Sequence, residues 1–126
     1  MSGSAWSVAA IFATAGIAHL AVPKFFDSIV PSWMPGSPRT TTYVSGAFEL
    51  VSAALIVNPS TRRIGGWLAL ATFIGIYPAN IWAAVLGGVK DAPPPLDSAA
   101  AAWGRLPLQF PMMWMAWKIA HERKGA

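Results

Sequence analysis

The sequence predicts an all-α protein, an integral membrane four-helix bundle with a short interfacial helix in the first outer loop. Of its 126 residues, 55% are hydrophobic and 11% are charged, whereas about 25% of the residues in a soluble domain are charged. A small soluble domain also has a large surface for its volume. Nine Lys and Arg with five Asp and Glu are too few to cover such a surface, so the apolar excess is expected to face lipid.

Four apolar stretches, separated by polar turns, reach or approach the ~17 to 25 residues of a spanning helix. They predict helices at approximately 5–22, 40–58, 62–89 and 99–120, in a single transmembrane domain that covers residues 1–126. The second stretch is the shortest, and it reaches spanning length when Thr40 and Asn58 are included. Asn58, Pro59 and Ser60 then predict a tight turn into the third helix.

The loop after the first helix predicts the short interfacial helix. Pro23 suits a helix start, and Pro31 and Pro35 limit the helix to one or two turns. Its apolar side chains recur at helical spacing on one face, as expected of a segment at a membrane surface: Phe25, Phe26, Ile29, Val30, Trp33 and Met34. Such a segment serves as an anchor or as a lid, and the sequence leaves both roles open.

The positions of the charged residues predict the direction of insertion, because Lys and Arg accumulate in cytoplasmic loops. One side receives Arg62, Arg63, Lys118, Arg123 and Lys124. The other side receives Lys24, Arg39 and Lys90, offset by Asp27, Asp91 and Asp97. Both termini are therefore predicted to be cytoplasmic, in a multi-pass protein of the bacterial cytoplasmic (inner) membrane.

The third helix has a small residue at every fourth position, which allows close helix approach in lipid. These residues are Ala71, Gly75, Ala79, Ala83 and Gly87. The pattern predicts a packing seam, either inside the chain or against a second copy of it.

Five polar side chains from four helices are predicted to lie in the outer half of the bilayer: His19, Glu49, Asn80, Arg105 and Gln109. An unpaired charge at that depth costs roughly 2.5 to 3.5 kcal/mol or more, so Glu49 and Arg105 are expected to pair. His19 and Asn80 would satisfy the remaining carboxylate oxygens. Gln109 would donate to helix carbonyls that have no backbone donor, because proline has no N–H group. The helical prolines are Pro78, Pro107 and Pro111.

This polar cluster has three interpretations. It is a structural clamp between the helices, or it lines a pocket open to the outer leaflet where a quinone, a lipid head group or a similar amphiphile binds. The third interpretation is a proton relay through His19 and Glu49.

Several functional classes find no support in the sequence. Without cysteine the chain has no thiol redox chemistry and no cysteine-ligated metal. The basic residues end apolar runs and form no stripe, so nucleic acid is not an expected partner. No metal-ligand spacing, nucleophile elbow or phosphate loop is present, so no catalytic residue, metal site or stand-alone enzyme is predicted.

Several motifs resemble those of the DoxX-like family of small four-helix bacterial membrane proteins, over almost the whole chain. They include Gly-Ile-Ala-His ending at His19, Ser45-Gly46 with Glu49, Tyr-Pro-Ala-Asn ending at Asn80, and Arg-Leu-Pro-Leu-Gln from Arg105 to Gln109. The family's His, Glu, Asn, Arg and Gln positions match the five residues of the polar cluster. Leu20 departs from the pattern, in which an aromatic residue commonly follows the His.

The resemblance implies a link to quinone-coupled oxidation of sulfur compounds or to oxidative-stress defence, as a partner of soluble redox enzymes. We therefore expect a membrane protein that binds a quinone-like molecule or a lipid at the polar cluster, within a membrane redox assembly. The alternative is a non-catalytic accessory subunit with a purely structural cluster. Its seam would bind another membrane protein or a second copy of the chain.

Overall fold

The protein is all helical in its computed structural model, which describes residues 1–88, 94–95 and 97–122. The elements are α1 (Gly3–Ala21), α2 (Pro23–Asp27), α3 (Pro38–Val57), α4 (Arg62–Val85) and α5 (Ala99–Ala120). The predicted all-α class is therefore confirmed. Three of these helices, α1, α3 and α4, are long and apolar enough to cross a membrane, which indicates a membrane protein.

Serine residues set the starts of three helices. Ser2, Ser37 and Ser98 each precede a helix, and their hydroxyl oxygens accept hydrogen bonds from the backbone N–H groups of Ala5, Thr40 and Ala101. Serine is among the preferred N-cap residues because it satisfies an N–H group that has no partner within the helix. These caps explain why α1 and α3 begin two residues earlier than the predicted 5 and 40.

The helix α4 ends at Val85, before the predicted end at residue 89, which lies outside the described residues. Gly87 and Gly88 have φ of +90° and +127°, a region that favours glycine. The N–H of Gly87 donates to the Ala84 carbonyl, and the N–H of Gly88 donates to the Ala83 carbonyl. This pair of bonds is the Schellman pattern that terminates helices.

The helices enclose an apolar core. The helix α1 packs against α3 and α5, and α4 packs against the same two helices. Phe12 and Phe73 meet in the core with ring centroids 4.6 Å apart, surrounded by the buried Val8, Ile56 and Ile119. Many large apolar side chains point outward, as expected of surfaces in contact with lipid, including Trp6, Ile17, Ile64, Val85, Leu108 and Phe110.

Close helix approaches occur at other glycines than those of the predicted seam. A Cβ at Gly46 would lie 2.7 Å from the Cβ of His19, and a Cβ at Gly65 would lie 2.7 Å from the Ile56 nitrogen. In contrast, Ala71 and Gly75 are exposed, and a Cβ at Gly75 meets nothing within 4 Å. Ala71 and Gly75 lie on the outward face of α4, so the predicted internal seam is wrong at these two positions.

The two ends of the structure carry different charged groups. At one end, the Arg63 side chain donates to the Ala120 carbonyl at 3.2 Å, and the Ser2 hydroxyl donates to Glu122 at 2.5 Å. At the other end, Arg39 pairs with Asp27. Four residues used in the topology prediction lie outside the described residues: Lys90, Asp91, Arg123 and Lys124.

Candidate functional site

His19 and Glu49 come together where α1 crosses α3. The Nε2 atom of His19 lies 3.4 Å from Oε1 of Glu49, and both side chains are almost fully buried. The crossing is close because two glycines face each other, and a Cβ at Gly16 would lie 3.1 Å from the Gly46 carbonyl oxygen. Glu49 lies near the middle of α3, deeper than predicted, since α3 begins at Pro38.

The orientation of the His19 ring is fixed on two sides. Its Nδ1 lies 2.6 Å from the Ala15 carbonyl oxygen, and because a carbonyl only accepts, Nδ1 carries a proton. The ring also stacks on Phe26 with centroids 3.6 Å apart. Nε2 is thereby directed towards Glu49.

The carboxyl group of Glu49 belongs to a residue that is only 2% exposed. Its close polar contact among the described residues is Nε2 of His19 at 3.4 Å, which is longer than an ordinary hydrogen bond. Glu49 and His19 line a cavity together, so this carboxyl group is available to a molecule in the cavity.

Arg105 also lines this cavity, from α5. The predicted Glu49–Arg105 ion pair is not formed among the described residues, where Glu49 lies beside Nε2 of His19 and Asp27 pairs with Arg39. Glu49 lies where α1 crosses α3, whereas Arg105 lines the cavity from α5. The two side chains border one space without pairing.

Asn80 and Gln109 form a separate part of the predicted cluster. Nδ2 of Asn80 donates to Oε1 of Gln109 at 2.5 Å, and Nε2 of Gln109 donates to the Phe73 carbonyl at 2.6 Å. Pro78 has no N–H to offer the Ile74 carbonyl, and Gln109 was predicted to bond to such a carbonyl. Gln109 bonds instead to the carbonyl of Phe73, one residue earlier. Gln109 is 1% exposed, and it joins α5 to α4.

The cavity has a volume of about 160 Å³. Four of the five predicted residues line it, namely His19, Glu49, Asn80 and Arg105, whereas Gln109 lies behind Asn80. The rest of the lining is mainly apolar and includes Phe26, Ile29, Trp33, Met34 and Ile76. Few polar groups on an apolar wall are typical of a small-molecule site.

The segment after α1 covers the cavity. Asp27 holds it to α3, because Oδ1 accepts from the Thr42 hydroxyl at 2.5 Å and Oδ2 accepts from Arg39 at 2.8 Å. Burial raises the pKa of Asp27, but the two hydrogen bonds and the charge of Arg39 outweigh it, so the pKa lies below its usual value. We call residues 22–35 the cover segment.

Sequence reasoning missed two parts of this site. Phe26 supplies the aromatic contact to His19 that the motif lacks at Leu20. Thr42 and Ser45 precede Glu49 by seven and four residues, a helical spacing that places them on one face of α3. Both line the cavity, and this periodicity was the available signal.

Comparisons with known proteins identify a family without an assigned activity. Residues 8–120 match the family described as "Domain of unknown function (DUF8561)". The match covers most of the chain, so the chain belongs to this family. No curated protein and no solved structure matches the chain.

Proposed function

We propose that this member of the DUF8561 family is a four-span membrane protein that binds a small amphiphile, with the polar head of the ligand in the cavity beside Glu49 and Arg105. The fourth span is α5, whose polar Arg105 and Gln109 face inward. Both termini lie in the cytoplasm of a bacterial cell, with the cavity in the outer half of the inner membrane. The motifs that resemble the DoxX-like family support this assignment.

The single observation that carries the proposal is the carboxyl group of Glu49. It is almost fully buried and lines a cavity, and its close polar contact among the described residues is the long 3.4 Å approach of Nε2 of His19. The cavity also presents the guanidinium of Arg105, which can only donate. A head that donates to Glu49 and accepts from Arg105 would satisfy both groups.

The size and charge of the cavity restrict this head. A cavity of 150 Å³ in another protein accommodates benzene, so about 160 Å³ suits a single six-membered ring with its substituents. One acidic and one basic side chain favour a neutral head over an anion or a cation. A ring with hydroxyl or carbonyl groups, as in a quinone-like molecule, meets both conditions, as does a lipid with an equally small neutral head.

One observation favours the structural alternative for part of the cluster. Hydrogen bonds join Asn80, Gln109 and the Phe73 carbonyl to one another. Of these groups, only the part of Asn80 that lines the cavity remains for a ligand. We therefore propose that this pair holds α4 to α5, and that ligand binding depends on His19, Glu49 and Arg105.

The proposal is tested by native mass spectrometry of the protein from mild detergent, followed by titration with 4-ethylphenol as a neutral one-ring probe. We expect saturable binding of one molecule. Glu49→Gln and Arg105→Gln should each weaken it about tenfold, as expected for loss of a hydrogen bond to a charged group.

The matched control is Glu122→Gln, which makes the same change outside the cavity and should bind like the native protein. A native protein that retains no ligand and shows no saturable binding would overturn the proposal. Unaltered affinity in folded Glu49→Gln and Arg105→Gln would also overturn it.

A further inference from the structure

A second cavity lies between α3 and α4. It is a groove of about 470 Å³ on the outward surface, and the exposed side chains of Val44 and Phe48 form its α3 wall. The α4 wall runs from Leu68 to Ile76, a rise of about 12 Å along the helix. Both walls belong to helices that are candidate membrane spans, so the groove faces the hydrocarbon of the bilayer.

Two of the hydroxyl groups along this groove are bonded within their own helices. The Thr72 hydroxyl donates to the Leu68 carbonyl at 2.7 Å, and the Ser45 hydroxyl donates to the Thr41 carbonyl at 2.9 Å. Such bonds to the preceding turn satisfy a hydroxyl within its own helix. The wall is mainly apolar and suits a hydrocarbon chain.

The groove adjoins the polar cavity. The two spaces share five lining residues, which are Met34, Thr41, Ser45, Gly75 and Ile76. Gly75 lies at the junction, and a Cβ there would meet nothing within 4 Å. The small-residue pattern that predicted a packing seam thus leaves no side chain at Gly75 where the two spaces meet.

The cover segment borders both spaces. Its Phe26, Ile29 and Trp33 line the cavity, Met34 lines the cavity and the groove, and Asp27 holds the segment to Thr42 and Arg39. The groove opens on the outward surface of α3 and α4, which gives an amphiphile dissolved in the bilayer a side from which to approach the polar cavity.

We propose that the groove binds the single hydrocarbon chain of the amphiphile and that the ligand enters sideways from the bilayer between α3 and α4. This inference rests on the proposed function, because the head in the polar cavity fixes the chain in the groove. It narrows the ligand to a one-ring head with one linear apolar chain, and a lipid with two chains would not fit.

The test uses 4-octylphenol that carries a diazirine on its alkyl chain, photolysed with the protein in detergent micelles. Peptide mass spectrometry should find the label on α3 and α4 at the groove residues Val44, Phe48 and Ala71. Excess 4-ethylphenol should remove this labelling, since it competes for the head site. Label on lipid-facing surfaces elsewhere should be insensitive to the competitor.

A pair of matched variants tests the same point by affinity. Ala71→Leu narrows the groove and leaves the lining of the polar cavity unchanged, whereas Ala54→Leu makes the same substitution at an exposed site of α3 outside the groove. Ala71→Leu should weaken 4-octylphenol about tenfold, as expected for overpacking, and should change 4-ethylphenol less than twofold. Ala54→Leu should change neither.

The outcomes separate the two proposals. If 4-ethylphenol shows no saturable binding, the head site is absent and both proposals fail. If 4-ethylphenol saturates but competitor-sensitive label lies on another face, or Ala71→Leu leaves 4-octylphenol affinity unchanged, only the chain site in the groove is overturned.

Discussion

The imidazole ring of His19 stacks on the phenyl ring of Phe26, with centroids 3.6 Å apart and planes inclined by 16°. His19 lies in the last turn of α1 and Phe26 belongs to α2, so the contact joins the cover segment to the wall of the polar cavity. The same imidazole reaches Glu49. The cover segment therefore takes part in orienting the site.

Replacement of Phe26 by leucine should release this orientation. We expect Phe26→Leu to lower the free energy of unfolding by about 1 kcal/mol, since an aromatic pair contributes roughly 0.5 to 1.5 kcal/mol beyond burial. The affinity for 4-ethylphenol should fall with it. Thermal unfolding and titration measure the two effects, and Phe48→Leu at an exposed site of α3 outside the polar cavity is the control. Equal behaviour of the two variants would contradict a role for the stack.

The glycine at the α1–α3 crossing should be intolerant of a side chain. A Cβ in Gly46→Ala would meet His19 at 2.7 Å, so we expect a loss of about 1 to 3 kcal/mol from overpacking. Gly75→Ala makes the same change in open space and should be neutral or slightly stabilising, because alanine favours helix by up to about 1 kcal/mol. Thermal unfolding in detergent compares the two, and a similar loss in both would refute the close crossing.

The Asn80–Gln109 bond should contribute measurably to stability. A double-mutant cycle with Asn80→Ala and Gln109→Ala should give a coupling energy of about 0.6 kcal/mol or more, the average for hydrogen bonds between membrane helices. Gln109→Ala alone should cost more, because it also leaves the Phe73 carbonyl without this donor. Additive effects of the two substitutions would show that the bond is not formed.

Acid should loosen the cover segment. The pKa of Asp27 is lowered in the folded protein, so its stabilising contribution is complete above the ordinary value of 3.8 and is lost as the pH falls through the folded pKa below it. The protection of the cover-segment amides, measured relative to the intrinsic exchange rate at each pH, should therefore fall as the pH drops below about 4. Asp27→Asn should show the lower protection at neutral pH already, with no further fall in acid. If acid changes the protection of the cover segment no more in the native protein than in Asp27→Asn, Asp27 does not attach this segment to α3.

The absence of cysteine from the sequence allows a clean test of topology. Single cysteines introduced as Gly3→Cys and Ser60→Cys should be protected from a membrane-impermeant thiol reagent in intact cells, and Ser32→Cys should react. Permeabilised cells, in which all three should react, supply the control. Reaction of Gly3→Cys and Ser60→Cys on opposite sides would end the proposed four-span topology.

The sequence predicted the all-α class and the three described candidate spans because hydrophobic length is a local property. It also singled out four residues that line one cavity, since a polar side chain within an apolar stretch must turn inward. It predicted the wrong partner for Glu49, because charge alone suggested Arg105. The actual geometry depends on the crossing at Gly16 and Gly46, and such close approaches are not visible in composition.

The groove was hidden for the same reason. Small residues at Ala71 and Gly75 have the same spacing whether a helix packs on them or leaves a space beside them, and only the positions of α3 and α4 separate the two cases. The cover segment was recognised as a short helix, but the hydrogen bond that Thr42 donates to Asp27 joins residues fifteen positions apart. The redox assembly, the bacterial inner membrane and the resemblance to the DoxX-like family stay predictions.

The facing pair Gly16 and Gly46 has a consequence for how this protein can change over evolution. Neither residue bears a functional group, yet together they set the separation at which an imidazole and a carboxyl group meet. Ligand preference can therefore change through substitutions in the cavity wall. A larger residue at either glycine, in contrast, would move the imidazole and the carboxyl group apart. The two glycines of the crossing therefore have little freedom to vary, although neither lines the cavity.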